Sequence, residues 1–352
     1  VQSAPGLALA RRLLVLTYLR TGQVPKALAT LPPDLAKNDR DVDMLSVAGQ
    51  AYLQSGDVAK AQEFFGRAAK LDPKDPRKRT SLAMTHMMSG QVDSAFGELQ
   101  EVAATDTGTV ADMALISAYL QRKEFDKALK AIDALEKKAP TDPQAAQLQG
   151  RTLLAKQDMA GARKSFERAL TIDAKFFPAI ASLAALDMAE KKPQDAKKRF
   201  EAVLEKDPKN MQSMVALAEL AARTGASKDE VAALISKAVV ANPSEAAPNL
   251  LLVEFHLRNN NAKVALAAAQ NAVAALPDSP DMLDALGRAQ AASGETNQAV
   301  ATYNKLAAMQ PTSPQPQLRL AGVHLAAKNP EAAAQALRKA LELKPDLLAA
   351  QR

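Results

Sequence analysis

The 352-residue chain contains no cysteine and no tryptophan, and only four tyrosines and nine phenylalanines. The missing cysteine excludes disulfides, thiolate metal sites and cysteine nucleophiles, while leaving the compartment open. With aromatics at 4% against 47% hydrophobic residues in all, the core must be built mainly from Ala and Leu, which calls for close helix packing. So few rings also argue against single-strand nucleic-acid binding, which needs stacking platforms inside a basic groove. Charge of one sign is not gathered into a stripe: 45 basic and 39 acidic residues give +6, and most are interleaved along the chain, so no nucleic acid is expected as a partner. The stretch most like a signal peptide, Leu13 to Leu19, is seven residues cut off by Arg20. A membrane span needs roughly 20, so no transmembrane segment is expected. A Gly-rich phosphate loop, a nucleophile elbow and an HExxH motif are all absent. No residue has the base and orienting partner that nucleophilic catalysis requires. The chain therefore reads as a non-enzyme with no catalytic, metal or cofactor-binding residues.

What the chain does have is a period. Ala27, Ala61, Ala95, Ala128, Ala162, Ala196, Val231, Ala265, Ala299 and Ala333 recur at steps of 34, 34, 33, 34, 34, 35, 34, 34 and 34 residues. A fixed period of this length marks a solenoid of stacked supersecondary units. Aligned on the small residue, the units are 8–41, 42–75, 76–108, 109–142, 143–176, 177–210, 211–245, 246–279, 280–313 and 314–347. In the unit 42–75, Leu45, Gly49 and Tyr52 share one helical face and Gly56 ends that helix. Ala61, Phe65 and Ala68 then share a face of the next, before Asp72 and Pro73. Spacings of three and four residues predict two amphipathic helices per unit. Gly22, Gly56, Gly90, Gly225 and Gly294, with Asn260 in another unit, stand at position 15, where a left-handed turn tolerates them. Pro73, Pro140, Pro208, Pro243, Pro277, Pro311 and Pro345 stop the second helix at position 32. The third unit is one residue short, with Thr105 to Gly108 replacing the Pro turn, and the seventh carries one extra residue between Ala226 and Glu230. Local irregularity is expected at both.

This pattern resembles the tetratricopeptide repeat (TPR) along nearly the whole chain. The resemblance implies an all-α fold, a right-handed TPR superhelix (α-solenoid) of about ten helix-turn-helix repeats, forming a single solenoid over 1–352. It also implies a concave groove lined by the first helices, whose positions 2, 5, 9, 12 and 13 meet a ligand. Carried over by position, these are Arg12, Ser46, Gln50, Arg77, Thr80, Met84, Ser117, Gln147 and Arg151 in the first half. The second half supplies Glu219, Glu254, Asp281, Asp284 and Arg288. The expected partner is a protein or peptide. The groove would have a basic and apolar half, formed by Arg77, Arg151 and a Met84/Met87 patch, and an acidic half formed by Glu219, Glu254, Asp281 and Asp284.

Several residues invite chemistry and have plainer explanations. His86, His256 and His324 all fall at position 11, the large inward slot held by Tyr18, Tyr52 and Tyr119 elsewhere. They read as core packing, because a metal would need them to converge. Asp278, Asp281 and Asp284 open a helix, where carboxylates meet the positive dipole end. Met84, Met87 and Met88, with Met113, serve equally as an adaptable binding patch or as core filler. Arg77, Lys78 and Arg79 stand in a first turn, where cations are locally unfavourable. They are either a solvated face or, at Arg77, a contact for an acidic partner.

Two specialised TPR ligand modes do not carry over. The carboxylate clamp needs Lys at position 5, Asn at 9 and Asn at 6 of the next unit, and no consecutive units match. The asparagine ladder needs Asn at position 6, where this chain has Leu13, Val47, Ser81, Ala114, Leu148, Ser182, Ala216, Leu251, Ala285 and Arg319. More finely, FFGRAAKLDP at 64–73 and ARKSFERAL at 162–170 resemble the TPR lipoproteins of bacterial exosortase (PEP-CTERM) and exopolysaccharide systems. That resemblance implies an envelope scaffold, periplasmic or anchored through an N-terminal lipid lying outside this stretch. The alternative is the substrate-selecting arm of an enzyme whose catalytic domain lies elsewhere. The opening at Val1, the short close at 347–352 and the groove-side Leu9, Leu16 and Leu19 suggest a fragment of a longer array, with end-to-end self-association.

Overall fold

The computed structural model describes residues 5–33, 35, 41–344 and 347. The readings at Val1, Pro345 and 348–352 lie outside these. Twenty α-helices occur among the described residues, with no strand, in ten consecutive pairs. The first five pairs are α1 (Pro5–Arg20) and α2 (Val24–Thr30), α3 (Val42–Gln54) and α4 (Val58–Leu71), α5 (Pro76–Met88) and α6 (Val92–Thr105), α7 (Val110–Gln121) and α8 (Phe125–Lys138), α9 (Gln144–Ala155) and α10 (Met159–Ile172). The second five are α11 (Phe177–Ala189) and α12 (Pro193–Lys206), α13 (Met211–Arg223) and α14 (Lys228–Ala241), α15 (Ala246–Arg258) and α16 (Ala262–Ala275), α17 (Pro280–Ala292) and α18 (Thr296–Met309), α19 (Gln315–Ala326) and α20 (Pro330–Leu343). From α3 onward each odd-numbered helix begins within one residue of a unit boundary read from the sequence. The chain forms two compact units, Val1–Ala179 and Ile180–Arg352.

The recurring small residue is buried in every hairpin, an alanine in nine and Val231 in the seventh. Ala27, Ala61, Ala95, Ala128 and Ala162 in the first unit are sealed from solvent, as are Ala196, Ala265 and Ala299 in the second. A small side chain lets paired helices approach closely, and the flanking rows of Leu, Ile and Phe then fill the space at crystal-like density. Glycine does the same one face over. A Cβ on Gly49 would lie 2.8 Å from the Phe65 ring, one on Gly150 2.3 Å from Phe166, and one on Gly287 2.5 Å from Tyr303.

All ten turns inside the hairpins pass through the left-handed region. Five use Gly22, Gly56, Gly90, Gly225 and Gly294; the others use Asn260, Lys123, Gln157, Lys191 and Lys328. Four of the ten therefore place an ordinary L side chain where it is sterically costly, by about 1 kcal/mol. The hairpin packing imposes that conformation.

The two irregular units differ from expectation in different ways. After the third hairpin the connection between α6 and α7 spans 106–109, as long as that between α4 and α5, so the missing residue leaves no mark on the link. In the seventh, α14 begins three residues after Gly225, whereas every other second helix begins two after its turn residue. The extra residue lets Ser227 and Glu230 form a reciprocal capping box at the start of α14. At the start of the chain, Leu19 is buried with Val15, Ala27, Val47 and Ala51, and Leu16 packs against that cluster. Neither is groove-side. The exposed leucines of α1 are Leu9, Leu13 and Leu14.

Candidate functional site: the first-helix faces

In the first unit, helix α5 carries the most open stretch of the expected groove. Arg77, Met84 and Met88 follow one another at steps of seven and four residues and so share one helical face. The Arg77 side chain is 80% exposed, 3.6 Å from Asp75, while Met84 and Met88 are 46% and 58% exposed. The two cations beside Arg77 are explained locally. Lys78 is held by Asp72 at 3.0 Å and by Asp75, and Arg79 reaches Glu101 at 3.0 Å. Asp75 also caps α5, accepting from the Arg77 amide at 2.8 Å. Burial works to raise the Asp75 carboxyl, but the hydrogen bonds from Lys78 and Arg77 and their positive charges outweigh it, holding it below its ordinary value. Lys78 shifts the opposite way: burial opposes its charge, and the Asp75 and Asp72 hydrogen bonds carry it upward.

Gln50, Ser117 and Arg151 are exposed, as a groove contact requires. Arg12 is not free. It is clamped by Asp43 and lies 3.7 Å from Asp41, tying α1 to the start of α3. The Ser46 hydroxyl donates to the Val42 carbonyl at 2.9 Å, within its own helix. Three residues of the expected set must be withdrawn. Thr80 is 2% exposed and Gln147 is 6% exposed, and the Gln147 amide donates to the Pro178 carbonyl at 3.4 Å. Met87 packs into the cluster of Ala83, Leu99 and Tyr119, so the methionine patch is Met84 with Met88.

The second unit closes its charges on one another. Arg288 on α17 meets Glu254 of α15 at 2.6 Å and Asp284 at 3.0 Å. Asp284 accepts both arms of the Arg319 fork on α19, at 2.8 and 3.1 Å. Arg258 adds a looser contact to Glu254 at 3.9 Å. The expected acidic half is thereby corrected: Glu254 and Asp284 are neutralised by arginines, and Glu219 and Asp281 are its exposed carboxylates. Arg319 was missed. An arginine at position 6, one repeat beyond an aspartate at position 5, is the signal that marks the pair. Tyr303 lies buried next to this network, and burial with the Asp284 charge pushes its phenol well above the ordinary value.

The three histidines lie on α5, α15 and α19. His86 sits 3.2 Å from Glu98, and burial lowers the His256 imidazole. Among the described residues no three His, Cys, Asp or Glu side chains are grouped to hold a metal ion. No described helix is long and apolar enough to cross a membrane.

Helical hairpins in series, each sealed by a small residue and turned through the left-handed region, match four sequence models of one repeat family. A tetratricopeptide repeat-like domain matches 78–176, and tetratricopeptide-repeat models match 43–75, 153–218, 250–314 and 290–352. The chain is a tetratricopeptide-repeat protein. Among curated proteins, human protein O-mannosyl-transferase TMTC1 is 31% identical over 102 residues, which is 29% of this chain and 12% of that one. Among solved structures, a tetratricopeptide repeat protein from Parabacteroides merdae aligns at 17% identity over 72% of this chain and all of its own, with a TM-score of 0.43. Yeast Tom70 aligns at 16% identity over 98% of this chain and 94% of its own, at 0.42. A TPR chain is a protein-interaction scaffold.

Proposed function

We propose that this TPR chain is a non-catalytic scaffold that holds a protein or peptide along its first-helix faces, its ten repeats acting as one array. The α5 stripe carries the proposal: a guanidinium, only loosely paired with Asp75 at 3.6 Å, and two thioethers stand exposed on one face. An acidic segment with apolar side chains fits that face, and Arg151 on α9 offers a second cation. Each exposed ion pair contributes only about 0.2–1 kcal/mol, so affinity accumulates over several contacts and charge mainly steers encounter. Reversing Arg77 and Arg151 together to Glu should weaken a captured partner and flatten the salt dependence, with the circular dichroism spectrum unchanged. An unchanged dissociation constant at low salt, or a footprint confined to the second helices, sinks the groove reading.

A second reading, favoured by the alignment with the human O-mannosyl-transferase, makes the array the substrate-selecting arm of an enzyme. A transferase domain in the full-length gene supports it, and a gene of repeats alone counts against it. Placement in bacterial envelope protein sorting or exopolysaccharide export, periplasmic or lipid-anchored, rests on the sequence phrases at 64–73 and 162–170. End-to-end self-association draws its support from the exposed Leu9, Leu13 and Leu14 of α1. Sedimentation velocity of Leu13→Glu against the unaltered chain tests it, and identical monomeric profiles would remove it.

A further inference from the structure

We infer that Met84 and Met88 form an oxidation site, at which hydrogen peroxide converts both thioethers to sulfoxides and so removes the apolar part of the α5 face. The loss of binding that follows rests on the reading of that face as a ligand surface; the modification itself does not. From α3 to α9 the first helices expose three large apolar side chains among the described residues, Met84, Met88 and Val110. Two of the three carry a thioether, which a mild oxidant turns into a polar group. Leucine has a similar helix propensity and nearly the same volume, and lacks that chemistry.

Peroxide alone completes the reaction. The sulfur lone pair attacks one peroxide oxygen, the O–O bond breaks, and the departing hydroxide takes the proton of the transferred hydroxyl and leaves as water. Sulfur is oxidised by two electrons and peroxide is reduced by the same two. The sulfoxide oxygen is a strong acceptor, which water satisfies at an exposed position, so the fold bears little cost there. Met44 and Met282 are sealed in their cores and so protected. Met159 on α10 and Met309 on α18 are also open to solvent, but they stand on second helices, and their oxidation alters no first-helix face. Met84 and Met88, one turn apart, alter the same patch together. Arg77 keeps its charge throughout, so the oxidised face still attracts an acidic segment and loses the apolar contact that holds it.

The full chain is treated with limiting hydrogen peroxide, and sulfoxide is followed at each methionine by peptide mass spectrometry while circular dichroism checks the fold. Met84 and Met88 should oxidise about tenfold faster than Met44 and Met282. Equal rates overturn the site, whatever the face binds. Affinity is then read by fluorescence anisotropy with a labelled peptide of about twelve residues alternating Glu and Leu. Peroxide should weaken binding about fivefold, and methionine sulfoxide reductase should restore it. The ratio of treated to untreated affinity should fall to about one when Met84→Leu and Met88→Leu are combined, and should stay about fivefold in Met159→Leu. An affinity that peroxide leaves unchanged, or a response that survives the paired leucines, overturns the inference. Failure of the peptide to bind the untreated chain, or binding untouched by the double reversal at Arg77 and Arg151, overturns the ligand reading of α5 and the loss of binding built on it, while the oxidation rates still decide the modification.

Discussion

The two units use the same hairpin and dispose of their charge in opposite ways. In the first, carboxylates near the first-helix faces are spent on neighbours, Asp43 on Arg12 and Asp75 on Lys78, leaving Arg77 open to solvent. In the second, Glu254, Arg288, Asp284 and Arg319 form a run of ion pairs across three first helices. Arg77 is only loosely paired with Asp75, at 3.6 Å, so its exposed guanidinium is available to a ligand. A closed run holds adjacent helices in register and offers an incoming segment little uncompensated charge.

The largest effects should test whether the units depend on packing equally. Phe166 and Tyr303 each stack over a glycine of the partner helix, so Phe166→Ala and Tyr303→Ala should each cost about 3–5 kcal/mol by denaturant unfolding. Because repeat stability is carried by neighbouring units, hydrogen exchange should rise around α9 and α10 in the first variant and around α17 to α19 in the second. Uniform loss of protection along the chain in either case would break the distinction.

Next comes the ionic contrast. Asp112 is buried and held by Lys138 at 2.7 Å, so Lys138→Met strands a carboxylate and should cost about 2–3 kcal/mol, discounted because Lys138 reaches solvent. Arg319→Met removes one partner of Asp284 but leaves Arg288, and about 1 kcal/mol is expected. Equal losses would show that the second unit's run confers no redundancy. Acid sensitivity sharpens the point. Asp75 is held below its ordinary 3.8, so its stabilisation is complete above that pH and is lost as pH falls through the lower folded value. Asp75→Asn should flatten the acid limb of the stability curve below pH 3.8, and an unaltered limb would show that the Lys78 pairing does not matter. The smallest effect concerns the strained turns. Lys123→Gly in the first unit and Lys328→Gly in the second should each stabilise by about 0.5 kcal/mol, the relief of the left-handed conformation less glycine's extra unfolded entropy.

Not every groove residue was legible beforehand. Positions 2, 5 and 9 place Arg77, Thr80 and Met84 on a nominal binding face, yet Thr80 is buried while Arg77 and Met84 are open. The repeat pattern gives a residue's angle on its helix. How far the next helix covers that angle depends on the side chains packed beneath it.

The 34-residue recurrence of a small residue, with Gly or Asn at the turn and Pro after the second helix, determined by itself that this chain is a series of TPR hairpins. Those constraints are local: an alanine admits a close helix, a glycine admits a left-handed turn, and a proline ends a helix wherever it stands. The tertiary structure alone decided that lysines and a glutamine turn four of the hairpins and that Arg319 closes on Asp284. It alone decided that a cavity of about 520 Å³ opens between α12 and α14, beside the longer turn of the seventh hairpin. Each of these depends on helix-to-helix distances, which are set by the summed volumes of side chains from different repeats and have no counterpart in any single position of the sequence.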